Sequence, residues 1–359
     1  MKIGIIGGGQ LAYMLGENID KNIFNSIEKI YIFSDKFDIP CNLLKNMDKI
    51  DIIYGEYNLE NIIKFSEKCD IITYEFENID INILKKIKKP IYPNIKYLEI
   101  VQDKFIQKEF LRKNNLSVGP YSIINTEADI YNFIEKYNYP IILKARCGSF
   151  DGRGNIVIKN SAELEIFIKT NKDIIENYYV EDYINFENEL SIGGCKNNRI
   201  INCYEPVKNV HKNNILIKTE YNDDSIKKDI KIKIKKVYKN LLNLFDTKRV
   251  ICCEFFEYNN EIYINEIALR VHNTYHISID CCNISQFELH LRSILDLEIP
   301  KLNFIKNGYM YNMISNLQTE EDILKIYEKI KKKYEIKIKK YNKKPLGVRK
   351  IGHINFLEI

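Results

Sequence analysis

The chain has 359 residues, of which 45% are hydrophobic and 29% charged, and its formal net charge is +5. This length and apolar content predict a globular protein of about two to three domains. No stretch reaches the roughly 20 apolar residues of a membrane helix, and no leader pattern follows Met1, so we expect a cytoplasmic protein without a membrane partner.

Charge and cysteine usage argue against two further classes of protein. Lysine-rich runs occur at 226–239 and 329–344, but over the whole chain the 54 basic residues are interleaved with 49 acidic ones. A nucleic-acid site would need basic residues clustered without compensating acids, so we expect no nucleic-acid partner. The nine cysteines form no C-x-x-C pair, which indicates neither a disulfide framework nor a zinc site.

Residues 1 to about 95 alternate apolar strands with helical segments, which predicts a doubly wound parallel sheet. The first strand leads into Gly7-x-Gly9-x-x-Ala12 at the start of a helix, the pattern that opens a dinucleotide-binding unit. Asp35 follows the second strand, where such a unit holds a ribose-binding acid. An NAD(P)-dependent oxidoreductase is therefore one interpretation of this segment.

The next segment is expected to begin with a long helix from Tyr97 to Asn114. Beyond Gly119-Pro120 the strands occur in hairpins, which predicts an antiparallel α+β domain closed by a helix from Ser285. Short strands after Pro300 complete the chain. The predicted fold is α/β at the N terminus and α+β in the centre, with a small strand-rich C-terminal domain.

A glycine-rich loop, residues 147–155, joins two strands of the central domain. Its glycines let backbone N–H groups approach an anion, and Lys144 and Arg153 add positive charge. A plain hairpin turn is the alternative. The loop length and the paired cations favour a triphosphate site.

The hairpin turning at Asn259-Asn260 brings Glu254 and Glu266 nearly opposite one another between apolar residues. Two like charges in such positions repel, and burying them unpaired is costly. A bound cation would resolve the conflict, and Asn265 adds an oxygen ligand. This all-oxygen set suits Mg²⁺ that bridges substrate phosphates.

Three further features surround these carboxylates in the sequence. Arg270 follows the proposed metal ligand closely, where a developing anion would need a cation. Glu75 and Glu77 end a strand of the parallel sheet, in the crevice that the Gly7 to Gly9 turn would line. His276 and His290 are interpreted as structural histidines.

Taken together, these motifs resemble one family. GGGQL, TYEFENI, SFDGRGN, VEDYINFENELS, NEIALRVHNTYH, ISQFELHLRSI and GVRKIGHINF occur in the order and approximate spacing of 5-(carboxyamino)imidazole ribonucleotide synthetases. The resemblance implies a pre-ATP-grasp domain at 1–96, an ATP-grasp domain at 97–300 with a mobile lid at about 118–182, and a C-terminal domain at 301–359. It also implies a homodimer.

The resemblance further implies a reaction, in which ATP and bicarbonate form carboxyphosphate. This intermediate carboxylates the exocyclic amine of 5-aminoimidazole ribonucleotide in purine synthesis, with release of ADP and phosphate. Such a site must exclude water, because carboxyphosphate hydrolyses readily, and a glycine-hinged lid suits that task.

Site residues follow from the same motifs. Contacts to ATP are implied for Lys104, Lys144, Ser149, Phe150, Asp151, Gly152, Arg153, Gly154, Asn155, Glu181, Asp182, Tyr183, Ile184, Glu189, His211, Asn265 and Glu266. Contacts to the ribonucleotide or bicarbonate are implied for Gln10, Glu75, His272, Asn273, Arg349 and Lys350. Roles in the reaction itself are implied for Arg270, Lys350, Arg153 and Asp151, and Mg²⁺ binding for Glu254 and Glu266.

Two positions depart from the family pattern. Phe150 stands where relatives carry Tyr, and Ala12-Tyr13 stands where they carry Gly-Arg, which removes a hydroxyl and a cation. The alternatives kept open are another ATP-grasp ligase, such as a formate-dependent transformylase, and, with less support, the NAD(P)-dependent oxidoreductase.

Overall fold

The structure is a computed structural model that describes residues 1–35, 39–148, 154–197, 200–222, 224–345 and 347–359. Within these ranges the strands form three sheets of five, four and nine strands. The first sheet is parallel, and the other two are antiparallel.

The N-terminal sheet has the strand order β3-β2-β1-β4-β5. Its strands are β1 (Lys2–Ile6), β2 (Lys29–Ser34), β3 (Ile50–Tyr54), β4 (Ile71–Tyr74) and β5 (Ile91–Tyr92). All four pairings are parallel, as the alternation of strands and helices predicted. Side chains alternate between the two faces, so Ile5 and Ile6 enter different hydrophobic clusters.

The small sheet has the order β6-β9-β7-β8. Its strands are β6 (Tyr121–Ile123), β7 (Ile141–Ala145), β8 (Asn155–Ile158) and β9 (Tyr178–Asp182). It has a hydrophobic core of its own, built around Leu143, Phe167 and Val180. This sheet falls within the segment that the sequence assigns to the lid.

The large sheet has the order β15-β14-β10-β12-β13-β16-β18-β17, with β11 paired to β10. Its first six strands are β10 (Asn188–Asn197), β11 (Ile200–Cys203), β12 (Val207–Lys212), β13 (Ile215–Tyr221), β14 (Val250–Tyr258) and β15 (Glu261–Ala268). The other three are β16 (Gly308–Ile314), β17 (Tyr334–Lys340) and β18 (Lys350–Glu358). Because β13 pairs with β16, the C-terminal strands continue the sheet that carries the acidic hairpin.

The helices connect and cover these sheets. The α-helices are α1 (Gln10–Gly16), α2 (Leu59–Glu67), α3 (Ile81–Leu84), α4 (Ile95–Gln102), α5 (Lys104–Lys113), α6 (Glu127–Tyr137), α7 (Ser161–Asn171), α8 (Lys228–Leu244), α9 (Ser278–Cys281), α10 (Gln286–Ile294) and α11 (Glu320–Ile330). Short 3₁₀ helices span Asn22–Phe24, Pro40–Leu44, Lys172–Asn177 and Asn273–Ile277. Among the described helices, none combines the length and apolar character that crossing a membrane requires.

The helix expected from Tyr97 to Asn114 is wrong as a single element. It is broken at Asp103, whose backbone is extended and whose carboxylate accepts hydrogen bonds from Phe105 N (2.9 Å) and Ile106 N (3.2 Å). Aspartate favours this capping position because it satisfies otherwise unpaired N–H groups at a helix start. The break places Lys104 in the first turn of α5, next to the small sheet.

Candidate functional site

The small sheet and the large sheet meet at a group of buried charged side chains. Lys144 on β7 donates hydrogen bonds to the Glu181 carboxylate on β9 (2.7 Å) and to Asn265 Oδ1 on β15 (3.2 Å). Tyr179 also donates to Glu181, at 2.6 Å. The structure therefore joins three residues that the sequence assigned to ATP binding: Lys144, Glu181 and Asn265.

Glu181 remains charged although it is buried. Burial alone would raise its pKa, but the ammonium groups of Lys108 and Lys144 outweigh that effect and hold the pKa at about 2. Lys104 lies on the other side of Asn265 and pairs with Glu266 at 3.1 Å. Burial opposes the charge on Lys104, and Glu266 nevertheless raises its pKa.

The acidic hairpin has the predicted register. Glu254 on β14 and Glu266 on β15 are direct partners across the antiparallel pair, and a bulge follows between Glu254 and Phe255. The pKa of Glu254 is raised by burial and then by the charge of Glu189, while Lys104 lowers the pKa of Glu266 against the effect of burial. Glu254 is thus the carboxyl of the pair that takes up a proton more readily.

The donors present fit Mg²⁺ held together with phosphates. Among the described residues, no group of three or more His, Cys, Asp or Glu side chains is close enough to hold a metal by itself. Mg²⁺ is commonly bound by one or two carboxylates plus substrate phosphates rather than by a full set of protein ligands. The pair Glu254 and Glu266 meets that requirement, and a bound cation would favour the charged form of Glu254, whose pKa is raised first by burial and then by the charges of Glu189 and Glu266.

Glu189 and His211 lie beside the hairpin. His211 on β12 places Nδ1 2.8 Å from Glu189 Oε2 on the adjacent strand β10. Burial lowers the pKa of His211, but Glu189 raises it by more. Both residues lie close enough to the hairpin to act electrostatically on Glu254, and their contacts to a nucleotide stay a prediction.

The glycine turn after β1 is filled by a side chain of the protein. Glu75 accepts hydrogen bonds from the backbone N–H groups of Gly9 and Ala12, the latter at 3.0 Å. A Cβ atom added to Gly9 would lie 2.5 Å from Glu75 Oε1, so the turn is shaped around this carboxylate. The N–H groups that would bind a dinucleotide phosphate are thus occupied, which counts against the oxidoreductase interpretation.

Gln10 and Glu75 lie together at the carboxyl end of the parallel sheet, just after β1 and β4. Glu75 is buried, and burial raises its pKa despite the two backbone hydrogen bonds. Gln10 Oε1 accepts a hydrogen bond from Lys343, which lies just beyond β17. The C-terminal segment therefore supplies one cation beside Gln10 and a second, Lys339, whose Nζ lies 5.3 Å from the centre of the Tyr13 ring.

Arg270 bridges the crevice and the hairpin. It lies just after β15, with Nε 3.5 Å from Glu77 Oε2, and its Nη1 donates to Val271 O at 3.1 Å. Leu269 N donates to the same carboxylate, at 2.9 Å. Glu77 is thereby held to the end of the hairpin.

The loop that follows Arg270 carries His272 and Asn273. His272 Nδ1 lies 3.8 Å from Glu254 Oε1 and 3.2 Å from Thr274 Oγ1. Asn273 is buried, and neither polar atom of its side chain has a hydrogen-bond partner among the described residues. Buried amides are normally paired, so Asn273 has donor and acceptor capacity left for a ligand or water.

The remaining predicted residues are less closely grouped. Lys350 begins β18 and is buried, and its charge lowers the pKa of His211. The backbone N–H of the neighbouring Arg349 donates a hydrogen bond to Ser315 Oγ at 3.1 Å. Asp182, Tyr183 and Ile184 form the exit from β9.

The phosphate-loop residues are only partly described. Gly154 O accepts from Ala145 N at 2.9 Å, and Asn155 begins β8 with its side-chain oxygen buried. The other predicted loop residues, Ser149, Phe150, Asp151, Gly152 and Arg153, lie outside the described residues.

Sequence reasoning missed three residues of this region: Lys108, Gln286 and Lys343. Lys108 is buried beside Glu181, and Gln286 exchanges hydrogen bonds with the backbone of His272 (2.7 Å each). Lys108 and Gln286 sit on helices where lysine and glutamine normally face solvent. For Lys108 the only signal was its spacing of four residues from Lys104, which places both on one face of α5.

Two family models match the chain in succession. The "Ribonucleotide synthetase preATP-grasp domain" matches residues 1–102, and the "ATP-grasp domain" matches residues 109–287. Together they cover both elements that the sequence motifs implied, the parallel sheet with its crevice and the phosphate-binding region.

Relatives match nearly the whole chain. The N5-carboxyaminoimidazole ribonucleotide synthase of Staphylococcus epidermidis is 31% identical over 99% of this chain and 92% of its own length. The phosphoribosylaminoimidazole carboxylase of Saccharomyces cerevisiae is 33% identical over 99% of this chain, which spans only 63% of that longer protein.

Solved structures have the same fold. The N5-carboxyaminoimidazole synthetase from Staphylococcus aureus complexed with ADP superposes with a TM-score of 0.86 at 29% identity, covering 99% of this chain and 92% of that one. The Aspergillus clavatus synthase, in complex with ADP and 5-aminoimidazole ribonucleotide, gives 0.86 at 28% identity, with 99% and 93% covered.

Proposed function

The chain belongs to the N5-carboxyaminoimidazole ribonucleotide synthase family, and on this premise we propose that it carboxylates 5-aminoimidazole ribonucleotide at the expense of ATP. Bicarbonate supplies the carboxyl group, and the product is 5-carboxyamino-1-(5-phospho-D-ribosyl)imidazole. ADP and phosphate are released. The reaction is a step of purine synthesis.

One observation carries the proposal most strongly. Two carboxylates, the largely covered Glu254 and the partly exposed Glu266, face each other across the hairpin, and two ammonium groups, Lys104 and Lys144, lie close by. Alternating carboxylates and ammonium groups are what Mg²⁺ and the phosphates of ATP require in one place. A dinucleotide-dependent hydride transfer would leave these four charges without a purpose.

On the nucleotide side, the residues bind and orient. Glu254 and Glu266 would hold Mg²⁺ with Asn265 beside them, and the cation would supply charge neutralisation at the γ-phosphate. Lys104 and Lys144 are proposed to contact the phosphates. The adenine and ribose are proposed to contact Glu181 to Ile184, Glu189 and His211.

On the substrate side, a crevice between the parallel sheet and the C-terminal strands would take the ribonucleotide. Glu75 is fixed by two backbone N–H groups, and its remaining lone pairs can accept from the exocyclic amine. Gln10, His272, Asn273, Arg349 and Lys350 are proposed as further substrate contacts. Lys343, which donates a hydrogen bond to Gln10, joins this set as a proposed phosphate-binding cation.

Two anions must come together when bicarbonate attacks the γ-phosphate, so cations are needed at that point. Arg270 and Lys350 are proposed to provide them, with Asp151 and Arg153 from the phosphate loop. We propose that this loop closes over the site and keeps water from the reactive intermediate. Its other members are Ser149, Phe150, Gly152, Gly154 and Asn155.

The organisation of the chain is part of the proposal. We assign a pre-ATP-grasp domain to 1–96, an ATP-grasp domain to 97–300 with its lid at about 118–182, and a C-terminal domain to 301–359. We also propose a homodimer, which sedimentation or light scattering would test. All nine cysteines are free, which suits the reducing cytoplasm that we propose as its location.

The proposal is tested by measuring phosphate release with ATP, Mg²⁺, bicarbonate and 5-aminoimidazole ribonucleotide. Release should require the last two together, and formate should not replace bicarbonate. Replacing Glu266 by Gln should abolish release, whereas Glu257→Gln, on the partner strand of the same hairpin, should retain it. Activity with formate, or full activity of Glu266→Gln, would count against the proposal.

A further inference from the structure

A second lysine lies behind the proposed nucleotide site and is not among the groups expected to touch ATP. Lys108, in the second turn of α5, is only 2% exposed. Its ammonium group is 3.1 Å from Glu181 Oε1 and donates to the carbonyl oxygen of Ile264 at 3.2 Å. A fully buried lysine is costly unless its charge is paired, so its position needs an explanation.

Lys108 connects three parts of the protein. It belongs to α5, Glu181 belongs to β9 of the small sheet, and Ile264 belongs to β15 of the large sheet. Ile264 directly precedes Asn265, which accepts from Lys144. One ammonium group thus fixes the small sheet and the strand of the proposed metal ligands to the same helix.

Lys108 and Lys144 both form ion pairs with the carboxylate of Glu181. The two lysines approach different oxygens of the carboxylate, Oε1 and Oε2, and Tyr179 donates to Oε1 as well. Without Lys108, the charge of Glu181 would be balanced by Lys144 alone. Lys144 would then be held more strongly by Glu181 and would interact less with a phosphate.

We propose that Lys108 is a positioning residue for nucleotide binding, which shares the Glu181 carboxylate so that Lys144 can engage the phosphates. The inference rests on the proposed function for the identity of the nucleotide. It does not require that Lys108 touch the nucleotide. Its effect should therefore pass through Glu181 and be absent when Glu181 carries no charge.

The test compares ADP affinity, measured by calorimetry with Mg²⁺, among four proteins: the wild type, Lys108→Met, Glu181→Gln and the double variant. Methionine keeps the length and apolar stem of lysine. We expect Lys108→Met to weaken ADP binding about tenfold, which corresponds to about 1.4 kcal/mol. In the Glu181→Gln background, the same replacement should change the affinity less than twofold.

A matched control is Lys113→Met on the exposed end of the same helix, where Lys113 is 72% exposed, and it should bind ADP as the wild type does. In turnover, Lys108→Met should raise the KM for ATP and leave the KM for the ribonucleotide unchanged. A purely structural role would shift both KM values together.

Two results would overturn the proposal. One is an unchanged ADP affinity in Lys108→Met, and the other is an equal loss of ADP affinity when Lys108→Met is introduced into the wild type and into Glu181→Gln. If Lys108→Met does not fold, Lys108→Gln replaces it in both backgrounds and is judged by the same two criteria. Since ADP binding needs no carboxylation, failure of the proposed reaction would leave this test intact and would be distinguished from failure of the Lys108 assignment.

Discussion

The opposed carboxylates of the hairpin predict that the proposed metal site is destabilising when empty. Burial and the charge of Glu189 raise the pKa of Glu254 far enough for it to be protonated at pH 7. Replacing Glu254 by Gln keeps the shape of the protonated acid and removes the need to take up a proton on folding. The variant should therefore be more stable than the wild type without metal, although it loses a metal ligand.

The size of this effect follows from proton linkage. Protonating a carboxyl of ordinary pKa 4.5 at pH 7 costs about 3 kcal/mol, at about 1.4 kcal/mol per pH unit. Because the pKa of Glu254 is raised in the folded protein, this cost grows as pH rises above 4.5 and levels off once pH exceeds the folded pKa. The stability difference between Glu254→Gln and wild type should thus disappear at about pH 4, grow through neutral pH and reach its maximum above about pH 8.

The assay is thermal unfolding with EDTA, and then with ADP and Mg²⁺. Glu254→Gln should have the higher Tm in EDTA, and the additional rise that Mg²⁺ gives over ADP alone should be lost. Glu257→Gln, on the same strand, is the matched control and should keep the Mg²⁺ effect. A lower Tm of Glu254→Gln in EDTA, or a full Mg²⁺ effect in that variant, would refute the reasoning.

Three other changes have defined outcomes. Gly9→Ala should raise the KM for the ribonucleotide at least about tenfold, because the new Cβ would meet Glu75 Oε1 at 2.5 Å. The affinity for ADP should stay unchanged, and a normal KM would contradict the crevice assignment. Lys343→Met should raise the same KM about tenfold by removing the cation beside Gln10, and an unchanged KM would remove Lys343 from the site. Burial lowers the pKa of His353 to about 3, so the unfolded histidine gains a proton between pH 7 and pH 5 and the folded one does not. This residue alone should therefore reduce the free energy of unfolding by about 2 kcal/mol over that range. His353→Asn should show a flatter dependence of Tm on pH, and an identical slope would contradict this.

The sequence predicted the parts of the fold that local patterns determine. Apolar runs separated by helices predicted the parallel sheet, and the Asn259-Asn260 turn predicted a hairpin with Glu254 and Glu266 nearly opposite. The turn alone would place Asn265 opposite Glu254, and the bulge between Glu254 and Phe255 shifts the pairing by one residue to Glu266. Lys104 and Lys144 lie beside Glu266 and Asn265, and their contacts to ATP stay a prediction.

The rest depended on contacts between distant segments. The pattern around Gly7 and Gly9 is the same whether its N–H groups bind a phosphate or a side chain, and only the fold brings Glu75 into that turn. The break at Asp103 was missed because the apolar periodicity continues across it. Lys108 and Lys343 were missed because the charge of a lysine does not reveal whether it faces solvent or a buried carboxylate.

The most direct measurement of the central claim follows the carbon atom of bicarbonate. The protein is incubated with ATP, Mg²⁺, 5-aminoimidazole ribonucleotide and ¹³C-bicarbonate, and the product is observed by NMR. The account predicts an ATP-dependent ¹³C carbamate signal on the exocyclic nitrogen, with one ADP formed for each carboxylation. ATP consumption without that signal, or incorporation of ¹³C-formate in its place, would contradict it.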